Sequence, residues 1–136
     1  MRIAVVDGKG GGIGKALVER IRAELPELEI IALGTNSRAT ENMIRAGASD
    51  GASGENAVVI NAALVDIIVG PIAILSSNSM LGELTPKMAE AIGSSHAQKI
   101  LLPLNRCNID VVSVTSKGVS DHIENAVIAI KEKLRP

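Results

Sequence analysis

The chain has 136 residues, of which 46% are hydrophobic. That is enough for one domain with a core, too few for two, and too apolar for a disordered chain. A net charge of −1 argues against a general nucleic-acid or membrane-surface binder. The single cysteine, Cys107, excludes an internal disulfide, reads as a small buried hydrophobe and fits a reducing, cytoplasmic compartment. The N-terminus leads straight into a strand, with no secretory signal. The chain has no Phe, Tyr or Trp. Base stacking on aromatic rings and tyrosine acid–base chemistry are therefore excluded within one chain. Any adenine or flavin ring must lie between aliphatic side chains. An all-aliphatic core also points to further burial in a homo-oligomer.

Ile3 to Val6 reads as a strand. A loop with Gly8, Gly10, Gly11, Gly12 and Gly14 follows. Ile13, Leu17, Ile21 and Leu25 then recur four apart, which predicts a first helix ending before Pro26. Leu28 to Leu33 reads as a second strand. Ser37 is the expected cap of a second helix closed by Gly47. A short third strand is expected between Ser49 and Gly54. A buried helix is expected over Glu55 to Val65, with its Ala57 to Val65 face available to a partner subunit. Asp66 to Val69 reads as the fourth strand. Ser76 to Gly82 is a Ser/Asn-rich loop. Thr85 and Pro86 open a helix that stops at Gly93. Lys99 to Leu102 and Asp110 to Val114 read as strands five and six, and Ser120 as the cap of a last amphipathic helix. Strands alternating with helices predict a single Rossmann-like three-layer α/β domain, with a mostly parallel sheet of about six strands. Ligands of such sheets bind beyond the C-terminal strand ends, where strand order reverses.

A strand, a glycine loop and a helix together make a phosphate-binding turn. Asp7, Gly8, Lys9, Gly10, Gly11, Gly12, Ile13, Gly14 and Lys15 are the expected contacts of a phosphate-containing small molecule. Gly8-x-x-x-Gly12-Ile13-Gly14 resembles the glycine motif of short-chain dehydrogenases, which implies a dinucleotide. About 20 residues beyond the glycines an NAD site places an acid. This chain has Asn36, Ser37 and Arg38 there, which suit the 2′-phosphate of NADP. Those dehydrogenases need a catalytic tyrosine, so their chemistry does not carry over. Lys9 to Ala16 resembles the variant Walker A of ParA- and MinD-type ATPases. Ala16 stands where the magnesium-holding Ser or Thr belongs, which argues against magnesium-dependent hydrolysis but keeps phosphate cradling. Another reading makes the glycines a device for packing the first helix on the sheet. Asp7 either contacts a ribose or orients Lys9, or it accepts backbone N–H bonds to close the loop.

Ser76, Asn78 and Ser79 are the expected substrate contacts after strand four, and Glu83 is the best carboxylate for acid–base work. Asn105 and Arg106 follow strand five. The Arg106 guanidinium suits an oxyanion, making it a second catalytic candidate. His96 and His122 lack metal-ligand spacing, so no metal is expected.

Over nearly its full length the chain resembles a bacterial family of uncharacterised proteins, a domain of unknown function. The residues that carry this are Val5 to Lys15, Gly82 to Ile92 and Lys99 to Arg106. The resemblance implies a free-standing domain and brings no activity. The residues themselves support a nucleotide- or dinucleotide-binding protein with an NADP-like ligand. The alternatives are a small reductase or transferase acting beside the loop, and a non-catalytic oligomeric sensor or interaction module.

Overall fold

A computed structural model describes residues 1–104, 107–114 and 118–135. In chain order its elements are β1 (Arg2–Asp7), α1 (Gly12–Glu24), β2 (Glu29–Gly34), α2 (Ser37–Ala46), β3 (Asp50–Ser53), α3 (Glu55–Ala62), β4 (Ile67–Pro71), α4 (Pro86–Ser94), β5 (Gln98–Leu102) and α5 (Val119–Leu134). The sheet runs β3-β2-β1-β4-β5, and every neighbouring pair is parallel. The chain winds outward from β1 to β3, then crosses back to lay β4 on the other side of β1. Strand order therefore reverses between β1 and β4, and a crevice opens beyond their C-terminal ends.

Helices cover both faces of the sheet, which is why the strands read as unbroken apolar runs rather than alternating ones. Ile3 and Val5 of β1 face a core made with Leu17, Ile21, Met43 and Val127 from α1, α2 and α5. Ala4 and Val6 face the opposite core, made with Val58, Met88 and Ile92 from α3 and α4. Three layers on one sheet give a single Rossmann-like α/β domain, as expected.

Some local expectations fail. The described residues form five strands rather than six. Asp110 to Val114 is not a strand: its valines are exposed, and Ser113 has a φ of 73°, which breaks an extended run. β-branched residues favour a strand only where a neighbour pairs and packs. Asn36, not Ser37, caps α2, its side-chain oxygen accepting from the Ala39 N–H at 2.9 Å. Gly118, not Ser120, precedes α5. α3 ends at Ala62, short of Val65. Thr85 caps α4 as expected, accepting from the Met88 N–H at 3.2 Å. Among the described residues no helix is long and apolar enough to cross a membrane.

Candidate functional site

The crevice at the switch point is a cavity of about 430 Å³. Asp7 and the glycine loop from Gly8 to Ile13 form one wall. Pro71, Ala73, Met80, Leu81 and Leu104 form the other, and it is apolar.

The loop is held open from within. Asp7 ends β1 with its side chain buried. Its carboxylate accepts from the Gly8 N–H at 2.8 Å and from the Gly14 N–H at 2.7 Å. That anchors the start of the loop and the first turn of α1 to one group, with negative charge at a helix N-terminus. The Gly11 N–H donates to the Gly8 carbonyl at 2.9 Å, and the Lys9 N–H to Glu83 Oε1 at 2.8 Å. The N–H groups of Gly10, Gly12 and Ile13 have no acceptor among the described residues. They are the donors that the loop leaves for something else.

Steric demand divides the glycines into two groups. A Cβ on Gly8 would lie 2.5 Å from Met80 Sδ and 2.5 Å from Thr35 Oγ1. One on Gly14 would lie 2.5 Å from Met43 Sδ and 2.9 Å from the Asp7 Cβ. Gly11 combines a φ of 71° with a Cβ site 2.8 Å from the Ala39 Cα. These three are required by packing or backbone conformation. Gly10 and Gly12 are not: a Cβ on either meets nothing within 4 Å. Both line the cavity, so a Cβ there would take up space that is otherwise open.

Glu83 lies before α4 and reaches across the loop to the β2 side. Its Oε1 accepts from Thr35 Oγ1 at 2.6 Å, Asn36 Nδ2 at 2.8 Å and the Lys9 N–H. Asn36 Nδ2 also donates to the Lys9 carbonyl at 2.8 Å. Thr35 above all, then the Lys9 N–H and Asn36, holds the Glu83 carboxyl below the usual glutamate range. A carboxyl lowered in the folded state contributes stability above its unfolded value, near 4.3, that is lost as pH falls through the lowered folded value. Glu83→Gln keeps an acceptor and loses the charge. It should melt below the wild type at pH 7, by about 1 kcal/mol. The gap should close on acidification through the carboxylate range, as thermal scans at a series of pH values would show. A gap that is the same at every pH would contradict this role.

The structure brings the expected residues Asp7 to Ile13 together around one cavity. Gly14 and Lys15 belong to the first turn of α1 but do not line it. Asn36 is part of the loop-fastening network, and Ser37 and Arg38 are exposed on α2; none of the three lines the cavity. Ser76, Asn78 and Ser79 do not line it either, and Ser79 Oγ donates to the Ala73 carbonyl at 2.7 Å. Asn105 and Arg106 lie outside the described residues. Cys107 is half-buried.

Reading the sequence sets the Gly70 to Glu83 segment beside the glycine loop, but it does not single out Thr35, Leu104 or the apolar residues Pro71, Ala73, Met80 and Leu81 within that segment. The signal for Pro71 and Leu104 was their place at or just beyond the ends of β4 and β5. For Met80 and Leu81 it was an apolar pair inside an otherwise polar loop.

No curated protein matches the chain. A solved structure similar to it is a dodecameric FMN-dependent UbiX-like decarboxylase from Escherichia coli O157:H7, at 12% identity and a TM-score of 0.48. The likeness covers 98% of this chain and 93% of that one. Residues 2–135 match the family described as a domain of unknown function, DUF3842, and the chain belongs to that family.

Proposed function

We propose that this protein binds a mononucleotide, with its phosphate on the N–H groups of Gly10, Gly12 and Ile13. The observation that carries this is the state of Gly10 and Gly12. Neither is required by packing, both face the cavity, and both have an N–H with no acceptor among the described residues. A bare backbone with free donors at a helix N-terminus is what a phosphate needs. Lys9, exposed at the cavity wall, adds a full positive charge.

The cavity volume supports one nucleotide. The Glu83 network argues for a mononucleotide over NADP. A dinucleotide would extend from the loop towards the end of β2. That path is crossed by the hydrogen bonds joining Glu83 to Thr35 and Asn36. The side chains of Ser37 and Arg38 therefore play no part in the proposal. Binding, rather than a reaction, is the function proposed. Self-association would use Ile60 of α3 and Leu64 just beyond its C-terminal end, which are 53% and 59% exposed.

Calorimetric titration with adenosine, guanosine and uridine monophosphates tests this. At least one should bind saturably at one site per chain, and more tightly than its unphosphorylated nucleoside. If nucleoside and nucleotide bind alike, or none binds, the phosphate cradle is not the site.

A further inference from the structure

We propose that Leu81, with Met80 beside it, is the surface on which the nucleobase lies, so that Leu81 selects ligands with a flat apolar group near the phosphate. This rests on the mononucleotide reading. The chain has no Phe, Tyr or Trp, and neither a histidine nor an arginine is among the described residues that line the cavity, so there a base can lie only on aliphatic side chains or on backbone. The apolar wall of the cavity is the aliphatic surface that adjoins the cradle. Pro71 and Ala73 are already buried, whereas Leu81 is 93% exposed. It has the most surface left to give.

Its backbone is unfavourable for leucine. The φ angles of Asn78, Met80 and Leu81 are 66°, 58° and 56°, all left-handed. Such residues persist where the surroundings over-determine them, and they cluster at ligand sites. Here the turn is fastened on both sides. The Asn78 N–H donates to the Leu84 carbonyl at 2.7 Å, and the Glu83 N–H to the Met80 carbonyl at 3.1 Å. Leu84 is fully buried, and Glu83 is bonded to the glycine loop. Met80 is packed against Gly8, close enough that a Cβ there would collide with its sulfur. The turn thus holds an apolar side chain in water at the mouth of the cavity. A base above the phosphate would cover it.

The test compares the tightest-binding of the adenosine, guanosine and uridine monophosphates with ribose 5-phosphate, which lacks the base. Both are titrated into the wild type, Leu81→Gly and Leu81→Asn, the two replacements that suit a left-handed backbone. In the wild type the nucleotide should bind about tenfold more tightly, the scale of one partly covered apolar side chain. In both variants it should fall to the level of ribose 5-phosphate, whose own affinity should not change. Leu81→Gly should also melt roughly 3 °C higher as the strain is relieved. The inference is overturned if the advantage of the nucleotide survives in both variants. It is also overturned if the two ligands bind the wild type equally, which leaves the phosphate cradle intact. Variants that break up an oligomer while keeping nucleotide affinity would make Leu81 a contact between copies of the chain. If neither ligand saturates the wild type, the mononucleotide reading fails and this inference fails with it.

Discussion

Gly12→Ala should fold as well as the wild type and lose nucleotide binding, whereas Gly14→Ala should lose stability. The two positions are two residues apart in one helical turn. At Gly12 the new methyl meets nothing within 4 Å. Alanine also suits a helix better than glycine, so stability should be unchanged or up to about 1 kcal/mol higher. Gly12 lines the cavity, and on the proposed reading the added methyl crowds the phosphate. A steric misfit of 1 to 3 kcal/mol there weakens binding by roughly ten- to a hundredfold. At Gly14 the methyl would be 2.5 Å from Met43 Sδ, in the core, and 2.9 Å from the Asp7 Cβ. Relieving that overlap should cost about 1 to 3 kcal/mol. Denaturant unfolding and calorimetric titration of both variants read the two effects separately. If Gly12→Ala binds as the wild type does, the open glycine is not part of a cradle.

Asp7→Ala should be among the most destabilising single changes in the chain. Two buried N–H groups, of Gly8 and Gly14, lose their acceptor at once. At about 1 to 3 kcal/mol for each unsatisfied buried group, the loss should be about 2 to 6 kcal/mol. Asp7→Asn keeps one side-chain oxygen as an acceptor and should fall between the alanine variant and the wild type. Urea unfolding at neutral pH measures this. A loss under about 0.5 kcal/mol for Asp7→Ala, the size of an ordinary surface change, would mean that the carboxylate does not hold the loop.

Much of the fold could be read in the sequence because β1 and β4 are covered on both faces. Their apolar runs are continuous, Ile3 to Val6 lying between Arg2 and Asp7 and Ile67 to Val69 between Asp66 and Gly70. The alternation of such runs with helices leaves few topologies open. Asp110 to Val114 shows the limit of that reasoning. Its valines have the right propensity, but the edge of the sheet at β5 does not extend to them.

The site was readable only in part. The loop stood out as a run of glycines, yet their division into required and open positions depends on Met43, Ala39, Thr35 and Met80. Those side chains reach the loop from elements far along the chain, and nothing in the spacing of the glycines reveals them. Glu83 looked like an acid–base candidate because it is a carboxylate near a strand end. Its hydrogen bonds to Thr35 and Asn36 follow from the strand order, which carries the segment before α4 back over β1 towards β2.

The most direct measurement is an amide NMR titration of the 15N-labelled protein with adenosine monophosphate. The N–H signals of Gly10, Gly12 and Ile13 should shift downfield together as a phosphate accepts from them. Those of Gly8 and Gly14, already bonded to Asp7, should move far less. Downfield shifts confined to other parts of the chain, with these three amides unmoved at saturation, would contradict the phosphate cradle.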